Sequence, residues 1–115
     1  MVNLLDSYMT ELRRGTLPLA VLSQLRKPQY GYSLVQGLES AGVSIEQSTL
    51  YPLLRRLEKQ DLLTSCWDTT ESRPRKYYVL SDYGIEVFEQ LKGEWEKMTL
   101  ELKSLLEGDD LNEFD

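Results

Sequence analysis

The stretch EQSTLYPLLRRLEKQDLL, residues 46–63, carries Gln47, Ser48, Tyr51 and Arg55 among regularly spaced leucines. An amide, a hydroxyl, a planar ring and a cation are the side-chain types that reach phosphate oxygens and base edges in a major groove. Further along, ESRPRK sets Arg73, Arg75 and Lys76 within four residues, a cationic cluster in a chain of net charge −6. Such a cluster suits a phosphate backbone. The chemistry implied is hydrogen bonding and electrostatics. The sequence holds no histidine and one cysteine, Cys66, so an intrachain disulfide is excluded and the usual metal co-ligand and general base are missing. With no glycine-rich phosphate loop and no paired carboxylates in a recognisable cleft, an enzyme is disfavoured, and neither a metal nor an organic cofactor is expected.

The elements that must position these residues follow from periodicity. At about 100° per residue, Leu50, Leu53, Leu54 and Leu57 gather on one arc, with Ser48, Pro52, Arg55 and Lys59 opposite and Tyr51 at the flank. Pro52 frees the carbonyl of Ser48, which lies on the outer arc where water satisfies it. A solvated amphipathic helix is the alternative reading of this segment. Ser44 and Gln47 fit a capping box at its start, and it is expected to last to about Gln60. Ahead of it, the spacing predicts helices over Val2 to Arg13, Thr16 to Arg26 (capped by Thr16) and Tyr30 to Ala41, with RKPQYG as a turn and Gly42 closing the third. Behind it, Leu63, Ser65 and Trp67 alternate with Thr64, Cys66 and Asp68, and Tyr77 and Val79 with Tyr78 and Leu80, which predicts a two-stranded hairpin. Ser81 caps a long last helix to about Glu107.

Two helices across a short turn followed at once by a hairpin is the winged helix-turn-helix order, in which the second helix enters the major groove. The expected fold is therefore mostly α with a small β-hairpin. It divides into a DNA-binding unit with an N-terminal helix (1–80), a C-terminal dimerisation helix (81–107) and an acidic tail (108–115). At 115 residues one core is expected. The charge is divided too: residues 1–80 carry 10 Lys and Arg against 8 Asp and Glu, and residues 81–115 carry 3 against 11. A basic-leaning body and an acidic end imply separate partners. The N-terminus has no signal-peptide pattern and no apolar run is long enough to span a membrane, so the expected compartment is the cytoplasm, with no membrane partner.

The runs GYSLVQGLE, STLYPLLRRLEKQDLL and RPRKYYVLSDYG, in this order over roughly residues 16–86, resemble the successive signatures of the PadR-like family of bacterial transcriptional regulators. The resemblance implies a dimeric repressor, often one that senses phenolic or other aromatic compounds. The single C-terminal helix is similar to that of the family's smaller members. By the same resemblance Tyr32 is similar to a tyrosine that reaches phosphate at the start of the first motif helix. Its helical angle, opposite Leu34 and Leu38, agrees, and a partly buried packing tyrosine is the alternative. Two departures stand out: Glu46 occupies a capping position usually given to a small polar residue, and Pro74 sits in the wing where glycine or arginine is common.

In the last helix Phe88, Leu91, Trp95, Met98, Leu102 and Leu105 alternate at spacings of four and three, an a/d seam for self-association. The apolar side of the first helix, with Leu5 and Tyr8, is the expected second contributor to a homodimer interface. Trp95 is oversized for a close-packed seam, and splayed helices would leave a gap between two Trp95 rings that admits a flat aromatic effector. Thr99, Met9, Leu12 and Thr16 are secondary candidates for its lining. The alternative is that Trp95 simply fills the interface. Taken together, the sequence describes a homodimer that reads a two-fold symmetric duplex operator, positioned on phosphate by Tyr32, Arg73, Arg75 and Lys76 and specified by Gln47, Ser48, Tyr51 and Arg55. A winged-helix module for protein contacts is the rival, separated from it by whether duplex DNA binds with strong salt dependence.

Overall fold

The computed structural model describes residues 3–108. Val2 and the acidic tail beyond Gly108 lie outside the described residues. In chain order the elements are α1 (Leu4–Arg14), α2 (Leu17–Ser23), β1 (Gln29–Tyr30), α3 (Gly31–Ser40), α4 (Gln47–Lys59), β2 (Leu63–Asp68), β3 (Arg75–Leu80) and α5 (Asp82–Glu107). This is the mostly helical winged helix-turn-helix with a long C-terminal helix that the sequence predicts. It adds one strand, because Gln29 and Tyr30 pair antiparallel with Tyr78 and Tyr77 and make the sheet three-stranded, in the order β1-β3-β2. A two-residue strand has no period to read. Only its partner makes it a strand.

The core is built from the inner arcs of the helices: Val21, Leu22 and Leu25 from the α2 region, Leu34 and Leu38 from α3, and Leu50, Leu53, Leu54 and Leu57 from α4. Leu62, Leu63, Tyr78 and Leu80 close it from the hairpin side. Each fully buried leucine contributes about 1.5–3 kcal/mol of burial free energy. The α2 helix is shorter than periodicity suggests. After Ser23 the chain turns so that the Leu25 carbonyl accepts from the Leu80 amide at 2.8 Å, and a sheet contact takes over from the helix.

Two expected caps differ in their bonding, and one of them in its residue. Thr16 is the N-cap residue of α2, as expected, but its hydroxyl makes no cap bond there and donates instead to the Arg13 carbonyl at the end of α1. The Ser44/Gln47 capping box does not form, and the N-cap of α4 is Glu46. The physical cause lies upstream. Gly42, at φ +89°, reverses the chain after α3, while the Val43 amide donates back to the Leu38 carbonyl. Val43 and Ile45 then both pack on the core, and inward residues two apart require extended backbone until Glu46.

The α5 helix starts where expected, the Ser81 hydroxyl accepting from the Gly84 amide at 2.9 Å. Its 26 residues span roughly 39 Å. Its first two turns rest on the body: Gly84 lies directly against the Leu62 carbonyl, and Phe88 is 4% exposed in the core beneath the Arg26 guanidinium. From Glu89 to Glu107 every residue is exposed. Among the described residues no helix is long and apolar enough to cross a membrane.

Candidate nucleic-acid interface

The inner arc of α4 is fixed by four buried leucines, so its outer arc is turned outward by the same packing. Gln47, Ser48 and Arg55 are exposed along it, with Pro52 between them. Ser48 donates to a Glu46 carboxylate oxygen at 3.3 Å, so the acidic N-cap engages one candidate contact directly. Tyr51 differs from expectation: it is half-buried, its ring lying against Gly31 at the start of α3, where any Cβ would collide with it. Gly31 is therefore a packing glycine that lets α3 and α4 approach, with the hydroxyl end of the Tyr51 ring lying against it. Tyr32, next along α3, is 64% exposed and its hydroxyl accepts from the Gln36 amide at 3.0 Å.

The wing sorts its three cations by strand alternation. Arg73 is exposed in the connection between β2 and β3. Arg75 is exposed on one face of β3, its guanidinium 4.2 Å from the centroid of the Tyr30 ring. Lys76 points to the opposite face, the one shared with Tyr78 and Leu80 and turned toward α4. There its ammonium pairs with a Glu58 carboxylate oxygen at 3.4 Å and lies 5.3 Å from the Tyr78 ring centroid. Of the three cations expected at the tip, Arg73 and Arg75 are exposed and Lys76 is paired with Glu58. Adjacent strand residues cannot share a face.

Residues that the sequence reading did not single out organise this wing. The Tyr30 hydroxyl donates to Asp68 at 2.5 Å, and Asp68 also accepts from the backbone amide and hydroxyl of Thr70. These donors, the tyrosine first, lower the Asp68 pKa to about 2, and the neighbouring carboxylate raises that of Tyr30. Tyr30 stands edge-on to Tyr77, the ring centroids 6.0 Å apart. Glu58 accepts from the Ser65 hydroxyl, which with the Lys76 ammonium lowers its pKa against the cost of partial burial. Neither tie is visible in spacing, since Tyr30 and Asp68 are far apart in sequence and meet only through the β1–β3–β2 order.

The seam and effector residues fall into separate places. Phe88 belongs to the domain's own core and is removed from the interface set, because α5 presents its first turns to its own body. Leu91, Trp95, Met98, Leu102 and Leu105 continue the same stripe on the exposed part of the helix. No residue of α1 is buried, and Leu5, Tyr8, Met9 and Leu12 are exposed on one side of it. The other side, with Thr10, Arg13 and Arg14, faces an open groove of 810 Å³ against the start of α2 and the α3–α4 connection. Thr16 is among the residues that line that groove. Trp95 is 45% exposed, and Thr99 spends its hydroxyl on the Trp95 carbonyl at 2.8 Å. Among the described residues no group of acidic, cysteine or histidine side chains could hold a metal ion.

A helix with its polar arc outward beside a two-cation wing defines a winged-helix DNA-binding protein. The model of the transcriptional regulator PadR-like family matches residues 19–90. The chain belongs to the PadR-like family of transcriptional regulators. The crystal structure of a PadR-family transcriptional regulator from Eggerthella lenta is 50% identical to it, covering 91% of this chain and 94% of that one, with a TM-score of 0.87. A PadR-like transcriptional regulator from Bacillus cereus is 28% identical over 86% of this chain and 99% of that one, with a TM-score of 0.76. An uncharacterized protein of Lysinibacillus sphaericus is 28% identical over 104 residues, 86% of this chain and 95% of its own length. The likeness extends beyond the DNA-binding core into α5.

Proposed function

We propose that this DNA-binding regulator acts in the cytoplasm as a homodimeric repressor. It occupies a two-fold symmetric operator and leaves it when a planar aromatic effector binds between the protomers. The observation that carries the reading is the outward arc of α4, with Gln47, Ser48 and Arg55 exposed while the leucines opposite are locked into the core. In this reading Gln47, Ser48, Arg55 and the accessible part of the half-buried Tyr51 read base edges, while Tyr32, Arg73 and Arg75 hold phosphate.

Dimerisation is supported by the stripe on α5. Among the described residues, Leu91, Trp95, Met98, Leu102 and Leu105 are exposed, and so is the apolar side of α1. A stripe of this length is covered in solution when a second copy brings the same stripe against it. The effector slot is the gap that paired Trp95 rings leave in such a seam, with Thr99, Met9, Leu12 and Thr16 at its margins. An effector that changes how the two α5 helices splay changes the spacing of the two α4 helices, which must match major-groove faces roughly 34 Å apart.

The test is tryptophan fluorescence with a panel of planar aromatic compounds. Trp67 is exposed on the hairpin and Trp95 on α5, and they are the only tryptophans in the chain. Binding is expected to quench emission. Trp95→Ala is expected to abolish the quenching and weaken binding by roughly 1–3 kcal/mol, while Trp67→Phe leaves both intact. By linkage, the operator-bound dimer must hold the effector less tightly by the same factor that the effector weakens DNA binding. Undiminished effector affinity on the operator would remove the slot from the switch.

A further inference from the structure

Lys76 is the one wing cation that the fold partly covers, Arg73 and Arg75 being exposed. Lys76 and Glu58 are each only 32% exposed at the side chain, whereas the other ion pair of the described residues, Arg26 with Glu89, is 58% and 52% exposed. The Glu58 carboxylate is engaged on both oxygens, one by the Lys76 ammonium and one by the Ser65 hydroxyl. Ser65 stands opposite Tyr78 in the β2–β3 register, so Ser65, Tyr78 and Lys76 share the hairpin face that meets α4. One carboxylate on α4 therefore grips both wing strands, and the Tyr78 ring supports the ammonium from the sheet side.

We propose that Glu58 is a positioning residue for DNA recognition. It holds the Lys76 ammonium against α4 and off the phosphate backbone, fixing the wing to the recognition helix while keeping sequence-independent affinity low. This rests on the reading of α4 and the wing as the DNA face. A cation placed on phosphate adds the same affinity at every sequence and releases a counterion. A cation held on a carboxylate of the protein is kept from phosphate and does not add this affinity, so the difference between operator and other DNA is carried by the base-reading residues. In this arrangement Lys76 serves wing geometry, and Arg73 and Arg75 alone supply the wing's phosphate charge.

The experiment measures binding of the full chain to a mixed-sequence duplex of about 30 base pairs between about 50 and 200 mM salt. The proteins are the wild type, Glu58→Gln, Lys76→Gln and the double variant, with glutamine at 58 still able to accept from Ser65. Lys76→Gln is expected to leave the salt slope at its wild-type value. Glu58→Gln is expected to steepen the slope by about 0.9, the loss of affinity over that salt range growing by about 3.5-fold as the freed lysine reaches phosphate. The double variant is expected to return to the wild-type slope. A wing that merely loosened would lose affinity without steepening. A flatter slope in Lys76→Gln, or an unchanged one in folded Glu58→Gln, overturns the inference alone; the Lys76→Gln arm decides it if Glu58→Gln does not fold. A wild-type chain that binds no duplex overturns it together with the reading beneath it.

Discussion

Arg75 and Arg55 are both exposed cations, but their supports differ. Arg75 is braced over Tyr30 on the wing, while Arg55 projects from the middle of α4 with leucines anchoring its helix from behind. Arg55→Ala is expected to weaken operator binding by roughly 1–3 kcal/mol with little effect on mixed-sequence DNA. Arg75→Ala is expected to weaken both and reduce the salt slope by about 1. Paired titrations on the DNA upstream of the chain's own gene and on mixed-sequence duplex distinguish them. Asp68 gives a residue-scale prediction for pH. Its folded-state pKa of about 2 lies below the ordinary 3.8, so its stabilisation of the wing is complete above 3.8 and is lost as pH falls from there toward about 2. Asp68→Asn is expected to remove that part of the acid sensitivity, read as a flatter dependence of the thermal midpoint on pH over the same interval. The base-reading candidates were legible in sequence because helical angle alone places Gln47, Ser48 and Arg55 outward. The braces were not, because Asp68, Tyr30 and Glu58 act through partners brought by the sheet.

At the scale of elements, the long regular pieces were readable and the joints were not. Periodicity located α4, α5 and the hairpin, since each repeats its apolar residues at a regular spacing along its length. The cap of α4 shifted because local side-chain chemistry competes with packing: Ser44 has the right type for a cap, yet Val43 and Ile45 hold the chain extended past it. Strand alternation could have separated Arg75 from Lys76, whereas a cluster of cations at a turn suggests three free charges. The seating of α5 depends on a contact that spacing does not announce. Gly84 abuts the Leu62 carbonyl, a backbone atom that cannot rotate away. Gly84→Ala is therefore expected to lose roughly 3 kcal/mol of stability, measured by urea unfolding, although alanine is the better helix former. A gain in stability would mean that α5 does not sit on the α4–β2 connection in this way.

At the scale of the whole molecule, the two ends of the chain carry what the body leaves unmatched. The α5 stripe crosses from self-contact at Phe88 to an open face from Leu91 onward, and α1 exposes its apolar side away from its own groove. The sequence showed the seam but not where the protein's own core stops using it, a boundary set by how far α5 runs past the body. The central claim is that two copies joined along this seam present two α4 helices to one operator. A footprint on the DNA upstream of the chain's own gene, taken with the wild type and with Leu102→Glu, tests it most directly. The account predicts wild-type protection of two symmetry-related half-sites whose centres lie one helical turn, about 10 base pairs, or a multiple of it apart. It predicts that Leu102→Glu, which buries unpaired carboxylates across the two-fold axis, runs as a monomer in sedimentation and loses the footprint. A single asymmetric protected site, or a footprint unchanged in Leu102→Glu, would contradict it.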